Sequence, residues 1–272
     1  MSDHVTLSLR ATLTESIQID CVMPHAFAAM SEPEIATSPV RAGRTRRSLV
    51  DYFDIHGARS PFVRIVGDVR LANGIGAGML GGTVMIDGNV GSGVGARMAG
   101  GTIDVRGNAG DDVGVAMRGG SIRVRGNAGD RVGAGEPGAS RGVTGGEIVV
   151  DGTVGTDTGA RMRRGLIFVG GNAGAHVARS IIAGSVIVLG QVGVEPAFGS
   201  KRGTLIVAGG VNVPVTYRHA CDYEPPHVRL ALTYLARRHV LTIDRSVIDG
   251  RYRRYCGDAG TVGRGEILEL IR

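Results

Sequence analysis

The feature that most constrains this chain is a short pattern that returns at nearly constant spacing from about Arg64 to Val211. Gly101-Thr-Ile-Asp-Val-Arg-Gly-Asn-Ala-Gly110 is followed by Gly120-Ser-Ile-Arg-Val-Arg-Gly-Asn-Ala-Gly129, and the register holds through Gly165-Leu-Ile-Phe-Val-Gly-Gly-Asn-Ala-Gly174. One glycine of the unit recurs at 67, 88, 107, 126, 152, 171, 190 and 209, in steps of 21, 19, 19, 26, 19, 19 and 19. The long step carries an insertion around Gly135-Glu-Pro-Gly-Ala-Ser-Arg141. A fixed short period is the signature of a solenoid. Each unit has an alternating apolar pair, such as Ile103/Val105, Ile122/Val124 and Ile148/Val150. Alternation puts both side chains on one face of a strand, and β-branched residues suit a half-buried strand. The flanking glycines break helices and supply corners.

A single unit cannot bury its apolar face, so units must stack into a parallel ladder. Stacking predicts interior columns: Met79, Met98, Met117, Val143, Met162 and Ile181 in one, and Val90, Ala109, Ala128, Val154, Ala173 and Val192 in another. With aromatics at 4% and no Trp, such a core is filled by small aliphatic groups and adaptable methionines. The expected fold is all-β: a single-stranded right-handed parallel β-helix of about seven coils of ~19 residues, closed by caps. The expected divisions are an N-terminal cap over 1–60, the solenoid over 61–213 and a helix-containing C-terminal cap over 214–272.

Within the first cap, Val5–Arg10 and Ile17–Asp20 read as strands. Pro24 to Ile35 reads as a helical turn or two broken by Pro33, and Arg41 to Arg47 as a basic loop. Leu49, Tyr52, Phe53 and Ile55 are expected to plug the open end of the stack. In the second cap, a helix is expected from Pro225-Pro226 to about His239, then a last strand over Glu266–Ile271, together covering the far end.

Outward positions on the ladder carry charges. Asp87, Arg106, Arg125 and Asp151 share one column and Asp104 is expected beside Arg123, so neighbours mostly alternate in sign. Asn89, Asn108, Asn127 and Asn172 share a corner, where an amide ladder or turn cap accounts for them.

Few residues offer chemistry. His176 is the only histidine of the repeat, the serines lack a nucleophile elbow, and Asp111-Asp112 are adjacent on a corner. The glycine runs Gly74–Gly78 and Gly91–Gly95 recur in every coil and precede strands, unlike a dinucleotide loop. His219, Cys221, Asp222 and His227 lie near one another without a known ligand spacing, and Cys21, Cys221 and Cys256 form no CxxC, so no metal site is assigned. The net charge is +6 and Lys201 is the only lysine. Dispersed arginines without a stacking set of rings argue against nucleic acid and for acidic partners. No signal-like start and no long apolar run are present, so a cytoplasmic protein away from membranes is expected.

Gly95-Ala-Arg-Met98, Gly159-Ala-Arg-Met162, Met162-Arg-Arg-Gly165, Ile181-Ile-Ala-Gly184 and Lys201-Arg-Gly-Thr204 resemble the GXGXG family. That family includes a glutamate synthase domain and the C subunit of formylmethanofuran dehydrogenase. Phe53-Asp-Ile-His-Gly57 leading into Ile65-Val-Gly-Asp68, with Tyr255-Cys-Gly-Asp258 and Gly263-Arg-Gly-Glu-Ile267 near the end, is similar to that C subunit over nearly the whole chain. The resemblance implies a scaffold subunit of a hetero-oligomeric one-carbon complex. One such complex is a formyltransferase/hydrolase, which passes formyl from tetrahydromethanopterin to a methanofuran-type carrier and releases formate. The alternative is a tungsten- or molybdenum-dependent formylmethanofuran dehydrogenase. The scarcity of lysine and of cluster-ligating cysteines favours the former. Further alternatives are a glutamate-synthase-like module and a stand-alone carbohydrate-binding β-helix. The family's chemistry resides in other subunits, so no catalytic residue and no bound cofactor is expected here. Arg97, Arg118, Arg161, Arg163 and Arg164 are the candidate contacts for a partner or for a polyanionic carrier tail.

Overall fold

The computed structural model describes residues 4–272; the first three residues of the expected N-terminal cap lie outside the described residues. The chain opens with strand β1 (Val5–Leu9) and the short β2 (Ile17–Gln18), followed by helices α1 (Pro24–Phe27) and α2 (Glu32–Ala36). Pro33 does not break a helix. It sits in the first turn of α2, where its missing N–H costs nothing, and Ser31 and Glu34 close a capping box before it. Strands β3 (Pro39–Ala42) and β4 (Thr45–Ser48) pair antiparallel, so the basic stretch expected as a loop is a hairpin turning at Gly43. Arg41 sits exposed between the buried Val40 and Ala42, which anchor β3, while Arg46 and Arg47 are exposed on β4.

Next come β5 (Phe53–His56), β6 (Phe62–Val66) and β7 (Ala72–Asn73), then the repeat strands: β8 (Thr83–Ile86), β9 (Thr102–Val105), β10 (Ser121–Val124), β11 (Glu147–Val150), β12 (Leu166–Val169), β13 (Ser185–Val188) and β14 (Thr204–Val207). All pair parallel and in register, so Ile103, Ile122, Ile148, Ile167, Val186 and Leu205 form one continuous column. The fold is all-β and solenoid-like. The two predicted interior columns are present: the methionine column is buried throughout, and isolated bridges tie Val90 to Ala109 and Ala173 to Val192.

The glycine pattern has a steric cause. Gly120 and Gly146 have φ of +92° and +89°. A Cβ on Gly146 would lie 2.6 Å from the Gly120 carbonyl oxygen of the rung before. The residue at this position just before each strand must therefore lack a side chain for rungs to stack at the ~4.8 Å spacing of a sheet.

At the N-terminal end, β1 adds a parallel rung to β6 and β5 pairs antiparallel beyond it. Leu49 and Phe53 are fully buried there, as expected of a plug. The C-terminal segment forms β15 (Arg218–Tyr223), α3 (Pro226–His239), the short α4 (Arg245–Ile248), β16 (Tyr252–Gly257) and β17 (Gly265–Leu270). Strand β17 pairs parallel with β14, and β16 and β15 extend the sheet antiparallel. Asp258 finishes the last rung by accepting the Gly199 N–H at 2.9 Å.

Helix α3 departs from expectation. It does not cover the far end; it lies across the outer face of the ladder. The outward positions Val149, Phe168, Ile187 and Ile206 form a second core with Val228, Leu232, Leu235, Tyr252 and Leu268. The corresponding positions of earlier rungs are Met85, Asp104 and Arg123. Past the charged Asp104 and Arg123 the outer column thus turns wholly apolar, where the helix begins to cover it. Burying an apolar face of this kind requires a partner layer.

Candidate functional site

The uncovered half of the outer face is an ion-pair lattice. Asp87 takes Arg64 at 2.6 Å and Arg106 at 3.0 Å, Asp104 takes Arg125 at 2.8 Å, and Asp151 takes Arg123 at 2.8 Å. Arg106 and Arg125, stacked in one column, thus each meet a carboxylate: Arg106 meets Asp87 of its own column and Arg125 meets Asp104 of the neighbouring one. The Arg123 guanidinium also donates to the His239 carbonyl at the C-terminal end of α3, where the helix dipole favours a cation.

Corner carboxylates and amides are equally committed. The Asn89 side chain accepts the Asn108 N–H at 2.9 Å, and Asn108 accepts the Asn127 N–H at 2.8 Å. Asp111 accepts the Asp130 N–H at 2.8 Å, while Asp112 pairs with Arg131. The adjacent carboxylates are therefore spent on the stack. His176 faces Glu195 at 3.3 Å. His219 lies 2.9 Å from Asp222, which also faces Arg253 at 3.4 Å, and its ring packs edge-on to Tyr255. Among the described residues, no three His, Cys, Asp or Glu side chains are grouped to hold a metal ion. No described helix is long and apolar enough to cross a membrane.

The five candidate arginines separate into two groups. Arg97 pairs with Glu136 at 2.7 Å and Arg161 donates to the Ala139 carbonyl at 2.8 Å, so both hold the inserted loop from above and below. Both occupy left-handed backbone, with φ of +58° and +60°. Arg118, Arg163 and Arg164 lie at another corner and have no side-chain partner among the described residues.

Beside that corner is a shallow groove of about 440 Å³, lined by Gly101, Gly120, Gly146 and Gly165 below and by Tyr234 and Arg238 of α3 on one side. At its base is Glu147, a carboxylate missed by sequence reasoning. It accepts from Ser121 Oγ at 2.9 Å, Tyr234 Oη at 2.9 Å, His239 Nε2 at 3.2 Å and Arg238 Nε. Burial alone pushes this carboxyl up, but the hydrogen bonds from His239, Arg238, Ser121 and Tyr234 outweigh it and bring it down to about 2. Its sequence signal was the one acid that the repeat strands β8–β14 place in a column otherwise holding Thr83, Thr102, Ser121, Leu166, Ser185 and Thr204. The hub fastens α3 to the ladder.

These features define a class: a β-solenoid subunit whose ladder carboxylates and corner amides are spent on internal stacking, with one arginine corner left unpaired. No protein-family model matches the chain. It superposes on a chain of the crystal structure of the formyltransferase/hydrolase complex from Methylorubrum extorquens, determined in complex with methylofuran. The TM-score is 0.90 at 34% identity, covering 98% of this chain and 100% of that one. It is also 35% identical, over 79 residues, to the C subunit of the molybdenum-containing formylmethanofuran dehydrogenase 1 of Methanothermobacter thermautotrophicus; the match spans 28% of this chain and 19% of that protein. The chain belongs to the family formed by the C subunit of formylmethanofuran dehydrogenase and its counterpart in the formyltransferase/hydrolase complex.

Proposed function

We propose that this chain is a structural subunit of a hetero-oligomeric one-carbon complex of the formyltransferase/hydrolase kind. Other subunits of that complex transfer formyl from tetrahydromethanopterin to a methanofuran-type carrier and hydrolyse it to formate; this chain binds neither carrier as a cofactor. The ladder is one face of a right-handed β-helix of about seven coils, a rigid rod that holds catalytic subunits in fixed relation. The observation that carries the reading is the full-length likeness to a chain of such a complex. The commitment of the ladder's carboxylates to arginines and backbone amides supports a non-catalytic role. The C subunit of a dehydrogenase is the second reading, favoured by the 79-residue similarity.

Co-expression with the other subunits of a formyltransferase/hydrolase complex tests the proposal. A tag on this chain should recover a stoichiometric complex active in formyl transfer and hydrolysis, with the isolated chain inactive in both. Activity of the isolated chain, or failure to co-purify with those subunits, would overturn it. Stoichiometric molybdenum or tungsten in the natural complex would select the dehydrogenase.

A further inference from the structure

The unpaired corner points to a specific partner chemistry. Positions 118, 144, 163, 182 and 201 are stacked on successive rungs: the Arg118 N–H donates to Met98 O, Thr144 N–H to Met117 O, Arg163 N–H to Val143 O and Lys201 N–H to Ile181 O, at 2.7–2.8 Å. At ~4.8 Å per rung, Arg118, Arg163 and Lys201 recur about every 10 Å along the rod. Arg164 and Arg202 stand beside the last two, and all five cations are exposed or half-exposed. None has a side-chain partner among the described residues. The contrast with the outer face is sharp, because there Arg64, Arg106, Arg123 and Arg125 each meet an aspartate. The acid of the adjoining groove, Glu147, is already answered by Arg238 and His239.

Four of the residues lining the groove next to this corner are glycines, Gly101, Gly120, Gly146 and Gly165, and over them an extended backbone can lie close. Its α3 wall presents Tyr234, and Leu230 stands out beyond it at 72% exposure. Arginine and tyrosine around a desolvatable strip are what protein interfaces select. The cation row spans about 19 Å, which exceeds any single anion and matches about six residues of extended chain.

Resting on the reading of this chain as a complex subunit, we infer that the corner from Arg118 to Lys201, with the groove beside it, docks an acidic extended segment of a partner subunit. The segment's carboxylates meet Arg118, Arg163, Arg164 and Lys201, and its backbone lies over the glycine floor against Tyr234.

The test uses the assembled complex, with a photo-crosslinking residue, p-benzoylphenylalanine, in place of Thr144. Irradiation should join it to one partner segment of net negative charge. The variant R118E/R163E/R164E should fold as the parent does and assemble at least about tenfold more weakly, with the deficit shrinking in high salt. Crosslinks to a segment without acids, or parental assembly of the variant, overturn the inference and leave the subunit reading intact. A variant that assembles normally but loses affinity for the methanofuran-type carrier overturns it by assigning the corner to a polyanionic tail. Failure of the parent chain to assemble at all removes the subunit reading itself, and the inference with it.

Discussion

Replacing Glu147 by Gln removes a charge and almost nothing else. The amide keeps an acceptor for Ser121 or Tyr234, but His239, nearly buried, loses its anionic partner, and Arg238 is left to solvent. The folded carboxyl titrates at about 2 against 4.5 for an ordinary glutamate. That shift corresponds to about 3 kcal/mol of folding free energy at neutral pH. Because the folded pKa lies below the unfolded one, the contribution is complete above about pH 4.5 and disappears as pH falls towards 2. Equilibrium urea unfolding should therefore show E147Q less stable by about 3 kcal/mol at pH 7, with the gap closing between pH 4.5 and 2. Hydrogen exchange should locate the loss in 226–239, with amides of the methionine column still protected. A gap under about 0.5 kcal/mol at pH 7, or one that persists unchanged to pH 2, refutes the assignment of Glu147 as the charged clamp of α3.

Three further outcomes follow from the same geometry. F168A opens a cavity between the ladder and α3 and should cost about 3–5 kcal/mol in chemical denaturation, exposing 226–239 to exchange as E147Q does. R97A removes a half-exposed ion pair, so it should cost less than about 1 kcal/mol, yet a protease should cut faster within 135–141. G146A places a Cβ at positive φ against the Gly120 carbonyl, and should lower stability by about 1–3 kcal/mol, read as a fall in thermal midpoint.

The ladder was legible because its signal is written many times over: a slip of one residue in any unit would turn Ile122 or Ile148 out of the core. The Asn column and the alternating charges were legible for the same reason. The position of α3 was not, because its signal is a single switch along a column of outward residues, from Asp104 and Arg123 to Val149 and Phe168. Read by unit, those residues look like ordinary exposed positions; read down the column, they announce a second layer. Glu147 was missed on similar grounds, since three of its four partners come from α3, some 90 residues downstream. Of the five arginines named as contacts for a partner or a polyanionic tail, rung position alone tells Arg97 and Arg161, beside the inserted loop, from Arg118, Arg163 and Arg164 on the open corner.

Helix α3 has two tasks on one set of side chains. Tyr234 and Arg238 fasten it to Glu147 and also form the wall of the groove beside the basic corner. If a partner segment binds that groove, clamp and docking must be coupled, although Glu147 is itself buried. E147Q should then weaken complex assembly without touching a corner cation, and R163E should weaken it without touching the clamp. Because both act on one bound segment, their effects should fail to add, with an interaction energy of about 0.5–3 kcal/mol in a double-mutant cycle on assembly. Strict additivity would separate the two: Glu147 would then serve only to cover Phe168 and Ile187, and the partner would meet the arginines without using the helix.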